Sequence, residues 1–340
     1  MKIAICNTKG TFTSRWIEYC DRKGIDYKLV NPYDSDIVRL VDDCDAFMWH
    51  HSQNNYKDKL FAKELIFSLE AAGKKCFPNY NTTWHFDDKV GQKYLLESVG
   101  APLVPSYVFY TKKESMIWVN QTNFPKVFKL RGGAGAANVV LVKNRRHAKQ
   151  LVRRAFGNGF SSVSVFGDVK ERYRKWKLGK TSIVQVLMGV IRLFVKNDFR
   201  RLYHKEKGYV YFQDFIPNNT FDIRVCVVGE KAFAIRRDVR KNDFRASGSG
   251  MILYEKEEFD ERCVGIAFDL AKKLNLQSVG FDFVFDENKN PLVIEMSFGF
   301  IAKVYDPCTG YWTSDIQWHK GCGFDFCGWM VENLINSVES

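Results

Sequence analysis

SVGFDFVFDENKNPLVIEMS, residues 278–297, reads as two strands of alternating apolar residues joined by a turn at Glu287–Asn290. Antiparallel pairing about that turn brings Asp282 and Glu295 together among Phe281, Phe283, Val284, Val293 and Ile294. Two acids in such surroundings are costly unless neutralised, and a hard cation that also holds phosphate is one answer. Solvated strand acids are the plainer alternative. On the cation reading, Asp282→Asn and Glu295→Gln should cost the fold little, because each relieves a pair of close like charges. Upstream, DIRVCVVGEKAFAIRRDVR (222–240) is a second hairpin, turning at Gly229-Glu230, and NDFRASGSG follows it. Together they carry Arg224, Arg236, Arg237, Arg240 and Arg245. Guanidinium groups beside an acidic pair can clamp a phosphoryl group, whereas Arg237 and Arg240 read as a solvated basic face.

Working outward, FPKVFKLRGGAGAANVVLV (124–142) reads as strand, Gly-rich loop, strand, with Lys129 entering the loop. Glycines let backbone N–H groups approach phosphate oxygens, and a lysine neutralises their charge. An ordinary hairpin turn is the alternative. No Gly-Lys-Ser/Thr closes the loop, which excludes a Walker motif. YVYFQDFI (209–216) is a strand, and DDKVGQKYLLESVG (87–100) is a helix closed by Gly100. Before residue 82, strands KIAICN, IDYKLVN and DAFMWHH alternate with helices SRWIEYCDRK, DIVRLVDDC and Asp58–Ala72. That alternation indicates a parallel α/β unit, and CNTKGTFTS lacks the glycine fingerprint of a dinucleotide site.

The 340 residues are 46% hydrophobic and 26% charged, which excludes disorder and fibrous repeats. A net charge of +12 points to a polyanionic partner. Nine scattered cysteines, no signal peptide and no long apolar run suggest a cytoplasmic protein with buried thiols. Most of the excess charge lies in 166–207, which holds twelve bases against four acids beside the apolar TSIVQVLMGVIRLFV. Such a segment can lie on an anionic membrane surface, or its apolar part can pack inward beneath solvated bases. Its aromatics are not interleaved for base stacking, which argues against nucleic acid. Near the C-terminus, Cys308, His319, Cys322 and Cys327 invite a zinc reading, but no second pair of matching spacing supports it. Tyr311, Trp312, Trp318 and Trp329 are instead read as walls of an acceptor pocket suited to a sugar ring.

From Lys89 to Ser297 the order of these motifs resembles the ATP-grasp superfamily, especially the glutathione-synthetase and ribosomal-protein glutamate-ligase type of carboxylate–amine ligase. The resemblance implies an α/β and α+β chain in three parts. These are an N-terminal parallel α/β domain (1–82), a first grasp subdomain with the Gly-rich loop and basic insertion (83–208), and a second subdomain (209–340). It implies that Lys89, Lys129 and the loop residues Gly132, Gly133, Ala134 and Gly135 hold the phosphates of ATP. Gln213 and the Asp214, Phe215 and Ile216 backbone would read adenine, and Asp222 would complete the nucleotide site. Arg224, Arg245 and Ser247 would act in catalysis, and Asp282, Glu295 and Ser297 would bind Mg²⁺ or Mn²⁺. Where the family pattern is Glu-x-Asn, this chain has Glu295-Met296-Ser297, and a hydroxyl is a poorer metal ligand than an amide carbonyl. The implied reaction is ATP-dependent amide formation through an acyl-phosphate. The whole-chain pattern resembles ATP-grasp proteins of bacterial surface-polysaccharide synthesis, which would suit an amino acid joined to a uronic acid, including one on a lipid carrier. The alternatives are a peptide or other small acceptor, or a nucleotide-binding protein without catalysis.

Overall fold

The computed structural model describes residues 1–8, 12–133, 138–161, 176, 182–184, 188, 205–239, 244–246 and 251–339. The chain forms two compact units, Met1–Phe86 with Tyr94–Leu103 and Ile216–Ser340, and Asp87–Lys93 with Val104–Phe215.

The first unit opens with β1 (Lys2–Cys6), α1 (Thr13–Lys23), β2 (Asp26–Val30), α2 (Ile37–Leu40), β3 (Ala46–Met48), α3 (Tyr56–Ala71), β4 (Lys75–Phe77) and α4 (Tyr80–Thr83). The strands form a parallel sheet in the order β2-β1-β3-β4. Such strands are covered on both faces and so read as continuous apolar runs. Phe47, Trp49, Ile66 and Leu69 pack on one face. Ile3, Ile5, Met48 and Phe77 pack on the other. Gly24 ends α1 in the left-handed conformation (φ +64°), its N–H turned back to the Asp21 and Cys20 carbonyls. Helix α2 is shorter than its sequence suggests. After Val41 the chain tightens, with the Asp42 and Cys44 N–H groups bonding the carbonyls of Arg39 and Val41.

The second unit begins with the start of α5 (Lys89–Ser98) and contains β5 (Ser106–Phe109), α6 (Lys112–Gln121), β6 (Lys126–Lys129), β7 (Val139–Val142), α7 (Arg145–Ala155) and β8 (Val210–Asp214). Its antiparallel sheet runs β5-β8-β6-β7, and Val119, Phe128, Val152 and Phe212 form the core between sheet and helices.

The first unit resumes with β9 (Phe221–Val228), β10 (Lys231–Asp238), β11 (Ile252–Leu253), α8 (Glu261–Lys273), β12 (Ser278–Phe285), β13 (Pro291–Ser297), β14 (Gly310–Thr313), β15 (Trp318–Lys320) and α9 (Phe326–Glu339). Among the described residues these strands make an antiparallel sheet in the order β13-β12-β9-β10-β14-β15, with β11 on β10. Both hairpins turn where the sequence places them, between Val228 and Lys231 and between Phe285 and Pro291. Helix α8 covers one face, over Ile223, Val225, Phe281 and Phe283. On the other face Cys226, Val228, Phe233 and Ile235 join Phe300, Tyr305 and Phe326.

Candidate functional site

Strand alternation decides what occupies that second face. Cys226 shares it with Arg224 and Asp222, because side chains two apart on a strand point the same way. Moving away from the Gly229 turn, the face therefore changes from apolar to ionic. Register then assembles a row. Asp282 on β12 lies opposite Arg224 on one side and Glu295 on the other, and Asp222 on β9 lies opposite Arg237 on β10. The pairing shifts by one residue between Asp282 and Phe283, so Ile294 is the extra residue of a bulge next to Glu295.

The row is tightly paired. Arg224 donates through Nε and Nη2 to the two Asp282 oxygens, the second at 2.7 Å. Arg237 donates Nε and Nη2 to Asp222 at 2.6 and 2.8 Å, and its Nη2 also lies 3.0 Å from Asp282 Oδ1. Arg237 is only 6% exposed, which corrects its reading as a solvated basic residue. The error was one of parity: its neighbour Arg236 points to the α8 face, where it pairs with Glu258 and lies over the Phe221 ring. Burial alone would raise the Asp282 carboxyl, but Arg224 and Arg237 overcome it and hold it below the ordinary aspartate range. Burial, helped by the Asp282 charge, raises Asp222 against the opposing Arg237 fork and the more distant Arg224 charge. The expectation that Asp282→Asn would cost the fold little is therefore corrected, since the substitution would remove the carboxylate that holds the Arg224 fork and the second anionic contact of the buried Arg237.

The row's donor chemistry fits a hard cation: two carboxylates stand opposite each other on adjacent strands, and Ser297 follows two residues after Glu295. Two features temper that fit. Ser297 Oγ donates to the Gly299 carbonyl at 3.0 Å. Three guanidinium N–H contacts already occupy Asp282, of roughly four lone-pair positions on a carboxylate.

The second unit holds most of the residues expected to meet the nucleotide. Lys89 and Lys129 are 5% and 7% exposed. Asp88 caps α5 by accepting from the Gly91 N–H at 2.9 Å, and it also pairs with Arg131. The loop entry is anchored on this helix start. The Gly133 N–H donates to Asp87 at 2.7 Å, and the Gly133 carbonyl accepts from Lys89 Nζ at 2.9 Å. Gly133 has φ +118°, and a Cβ there would collide with the Asn138 side chain, so glycine is required. Gly132 accepts from Asn138 Nδ2 at 3.2 Å, closing the loop base. On β8, Gln213 is buried and donates to Ser106 Oγ at 3.0 Å. Asp214 pairs with Lys126 at 2.5 Å, and its N–H donates to the Pro105 carbonyl. Phe215 and Ile216 follow the strand, half-buried.

Ala134, Gly135, Ser247, Arg240 and nearly all of the 166–207 insertion lie outside the described residues. The Arg245 guanidinium lies 5.8 Å from the centre of the Phe244 ring. The aromatic tail is core more than pocket wall. Trp312 is fully buried against Phe259, while Tyr311 and Trp329 pack on the opposite core. Cys308 and Cys327 are buried, and His319 stacks on Tyr311. The sequence reading also missed Asp88, Arg131 and Lys126. An Asp-Asp pair opening a helix was the signal available for the first.

Residues 181–302 match the family model of the RimK-like ATP-grasp domain. No curated protein matches the chain by sequence. Among solved structures, the chain is similar to a RimK domain protein ATP-grasp from Sphaerobacter thermophilus (TM-score 0.57, 13% identity, 98% of this chain and 100% of that one). It is also similar to D-alanine–D-alanine ligase from Bacillus anthracis complexed with ATP (TM-score 0.58, 12% identity, 100% and 98%). A third likeness is the biotin carboxylase domain of the Hydrogenobacter thermophilus 2-oxoglutarate carboxylase, in complex with MgADP, ADP and bicarbonate (TM-score 0.59, 14% identity, 98% and 69%). The chain has the ATP-grasp fold, with a parallel α/β sheet at its N-terminus.

Proposed function

We propose that the protein is an ATP-dependent carboxylate–amine ligase. The observation that carries this reading is the row of Asp222, Arg224, Arg237, Asp282 and Glu295, three of them buried, all of it inside the stretch that matches the RimK-like ATP-grasp domain. In the proposed reaction the carboxylate takes the γ-phosphoryl group of ATP, giving an acyl-phosphate and ADP. An amine then attacks the acyl carbon, releasing phosphate and a proton and leaving an amide. Little covalent work falls to the protein, which positions groups and stabilises charge.

Lys89 and Lys129 are assigned to the phosphates, with the loop from Gly132 to Gly135 over them. Gln213, the Asp214–Ile216 backbone and Asp222 are assigned to the nucleotide. Asp282 and Glu295, with Ser297 as the weaker third ligand, would hold Mg²⁺, which supplies charge neutralisation between phosphate oxygens. Arg224, Arg245 and Ser247 are assigned to the transferring group and the acyl-phosphate. The two relatives bound to ATP and to MgADP support the nucleotide and the ion as the cofactor pair.

The substrate reading is an amino acid joined to a uronic acid of a surface polysaccharide. Its support is the sequence resemblance, since the burial of Trp312 withdraws one of the residues that suggested a sugar ring. The basic 166–207 segment supports transient contact with an anionic membrane or a lipid-linked substrate. No helix among the described residues is long and apolar enough to cross a bilayer. Vesicle co-sedimentation should show salt-sensitive binding to anionic but not neutral lipid.

The deciding assay is ADP release across paired panels of carboxylates, uronic acids included, and amines. ADP should rise only when both partners are present, and Lys129→Ala should sharply weaken ATP affinity by calorimetry. ATP affinity unchanged in that variant, or ADP release indifferent to both partners, would overturn the reading.

A further inference from the structure

Resting on the ligase reading, the pairing in the ionic row says more than which residues hold a cation. The two arginines on Asp282 are not equivalent. Arg237 has its fork on Asp222, at 2.6 and 2.8 Å, and reaches Asp282 through one nitrogen at 3.0 Å. Arg224 places both Nε and Nη2 on Asp282. The Arg224 side chain is 19% exposed against 8% for Arg237, so it also has more room to leave. Asp282 itself is nearly saturated by these donors, and a cation coordinated there needs lone pairs that guanidinium groups now fill.

We infer that Arg224 is an internal counter-ion for Asp282, displaced when a divalent cation binds Asp282 and Glu295, and thereby freed to bind an anionic substrate group. Arg237 stays in place, because Asp222 anchors it whether or not Asp282 is taken. The exchange keeps a buried carboxylate compensated at every stage, since it is never without either a guanidinium or a metal. It also imposes an order: the arginine becomes available to a carboxylate or phosphoryl group only after the cation is seated.

The test uses Mn²⁺ alone as the probe, titrated into the full chain without nucleotide and followed by electron paramagnetic resonance. Removing the competitor in Arg224→Met should tighten Mn²⁺ binding by about tenfold or more, the scale of a charged hydrogen-bonded pair. Adding Asp282→Asn to that variant should abolish the gain. Equal or weaker Mn²⁺ binding in Arg224→Met, with Asp282→Asn alone still weakening it, overturns the exchange and leaves the cation site standing. Parent-like binding in Asp282→Asn overturns the cation site and the exchange with it. A second measurement needs no core substitution in the chain under study. In ¹⁵N-arginine spectra of the parent, the Arg224 Nε–H, assigned from its loss in Arg224→Lys, should be protected from solvent exchange without cation. It should lose that protection in saturating Mg²⁺ without nucleotide and regain it with chelator. Protection that persists in saturating Mg²⁺ overturns the inference.

Discussion

Acidification from pH 7 to pH 5 should weaken the first unit through His50 and His51. Both rings are buried, and burial drives each from its ordinary value down to about 3; His51 is lowered further by His50 and Lys63. A histidine with a depressed folded pKa binds its proton in the unfolded chain only. Its stabilising effect is complete above about pH 6.5 and is lost as pH falls toward 3. Linkage for a single ring between those values gives a loss of about 2 kcal/mol between pH 7 and pH 5, and two rings give about 4. That is large against the roughly 5–15 kcal/mol of a typical domain. Asp222 acts in the opposite sense, because a carboxyl raised by folding gains stability as pH falls. Comparing two chains that both keep Asp222 removes its effect. His50→Phe preserves the stack on Phe12, whose ring centre lies 3.9 Å away, but gives up the acceptor for the Phe12 N–H. It should cost roughly 1–3 kcal/mol at every pH and shrink the pH 7-to-5 loss by about 2 kcal/mol. Urea unfolding followed by tryptophan fluorescence at both pH values measures this. A variant that loses as much as the parent on acidification would refute the burial argument.

Asp282→Asn should destabilise the chain by about 3–5 kcal/mol, because it takes from the half-buried Arg224 the carboxylate that holds its fork and from the buried Arg237 its second anionic contact; a urea midpoint equal to the parent's would contradict the pairing. Gly133→Ala forces φ +118° and a clash with Asn138, at a cost of roughly 1–3 kcal/mol. It should both lower the melting temperature and weaken ATP in calorimetry, and an unchanged pair of values would show that the loop entry is not held as described. Ser297→Asn should lower the Mg²⁺ concentration giving half-maximal turnover, and an unchanged Mg²⁺ dependence would remove Ser297 from the proposed ligands.

What the sequence disclosed depended on whether the signal was local. The hairpins were legible because their turns are marked by Gly229-Glu230 and by the Glu287–Asn290 run, and strand alternation did the rest. Arg237 was legible in principle. A two-residue turn at Gly229-Glu230 puts Asp222 directly opposite Arg237, so the register alone pairs an acid with that base. Helix α6 opens on a local Thr-x-x-Glu signal: Thr111 Oγ accepts from the Glu114 N–H and its hydroxyl donates to the Glu114 carboxylate. Trp312 was harder. Its indole donates to Glu261 on α8, a partner 51 residues away that no local pattern reveals.

Placing the ionic row on the same strands as the core has a consequence for how the sheet finds its register. A one-residue slip of β12 against β9 would send every side chain of the slipped strand to the opposite face. Asp282 would enter the apolar layer beneath α8, and Phe281 and Phe283 would meet Arg224. The error is penalised twice, by unpaired charge and by exposed aromatic surface. The pairing chemistry thus proofreads the topology, and it does so between strands as distant in sequence as Arg224 and Asp282, where chain connectivity offers least guidance and closure is slowest. A chain carrying neutral residues at those positions is expected to reach the native fold more slowly and with more misregistered species, whatever its final stability.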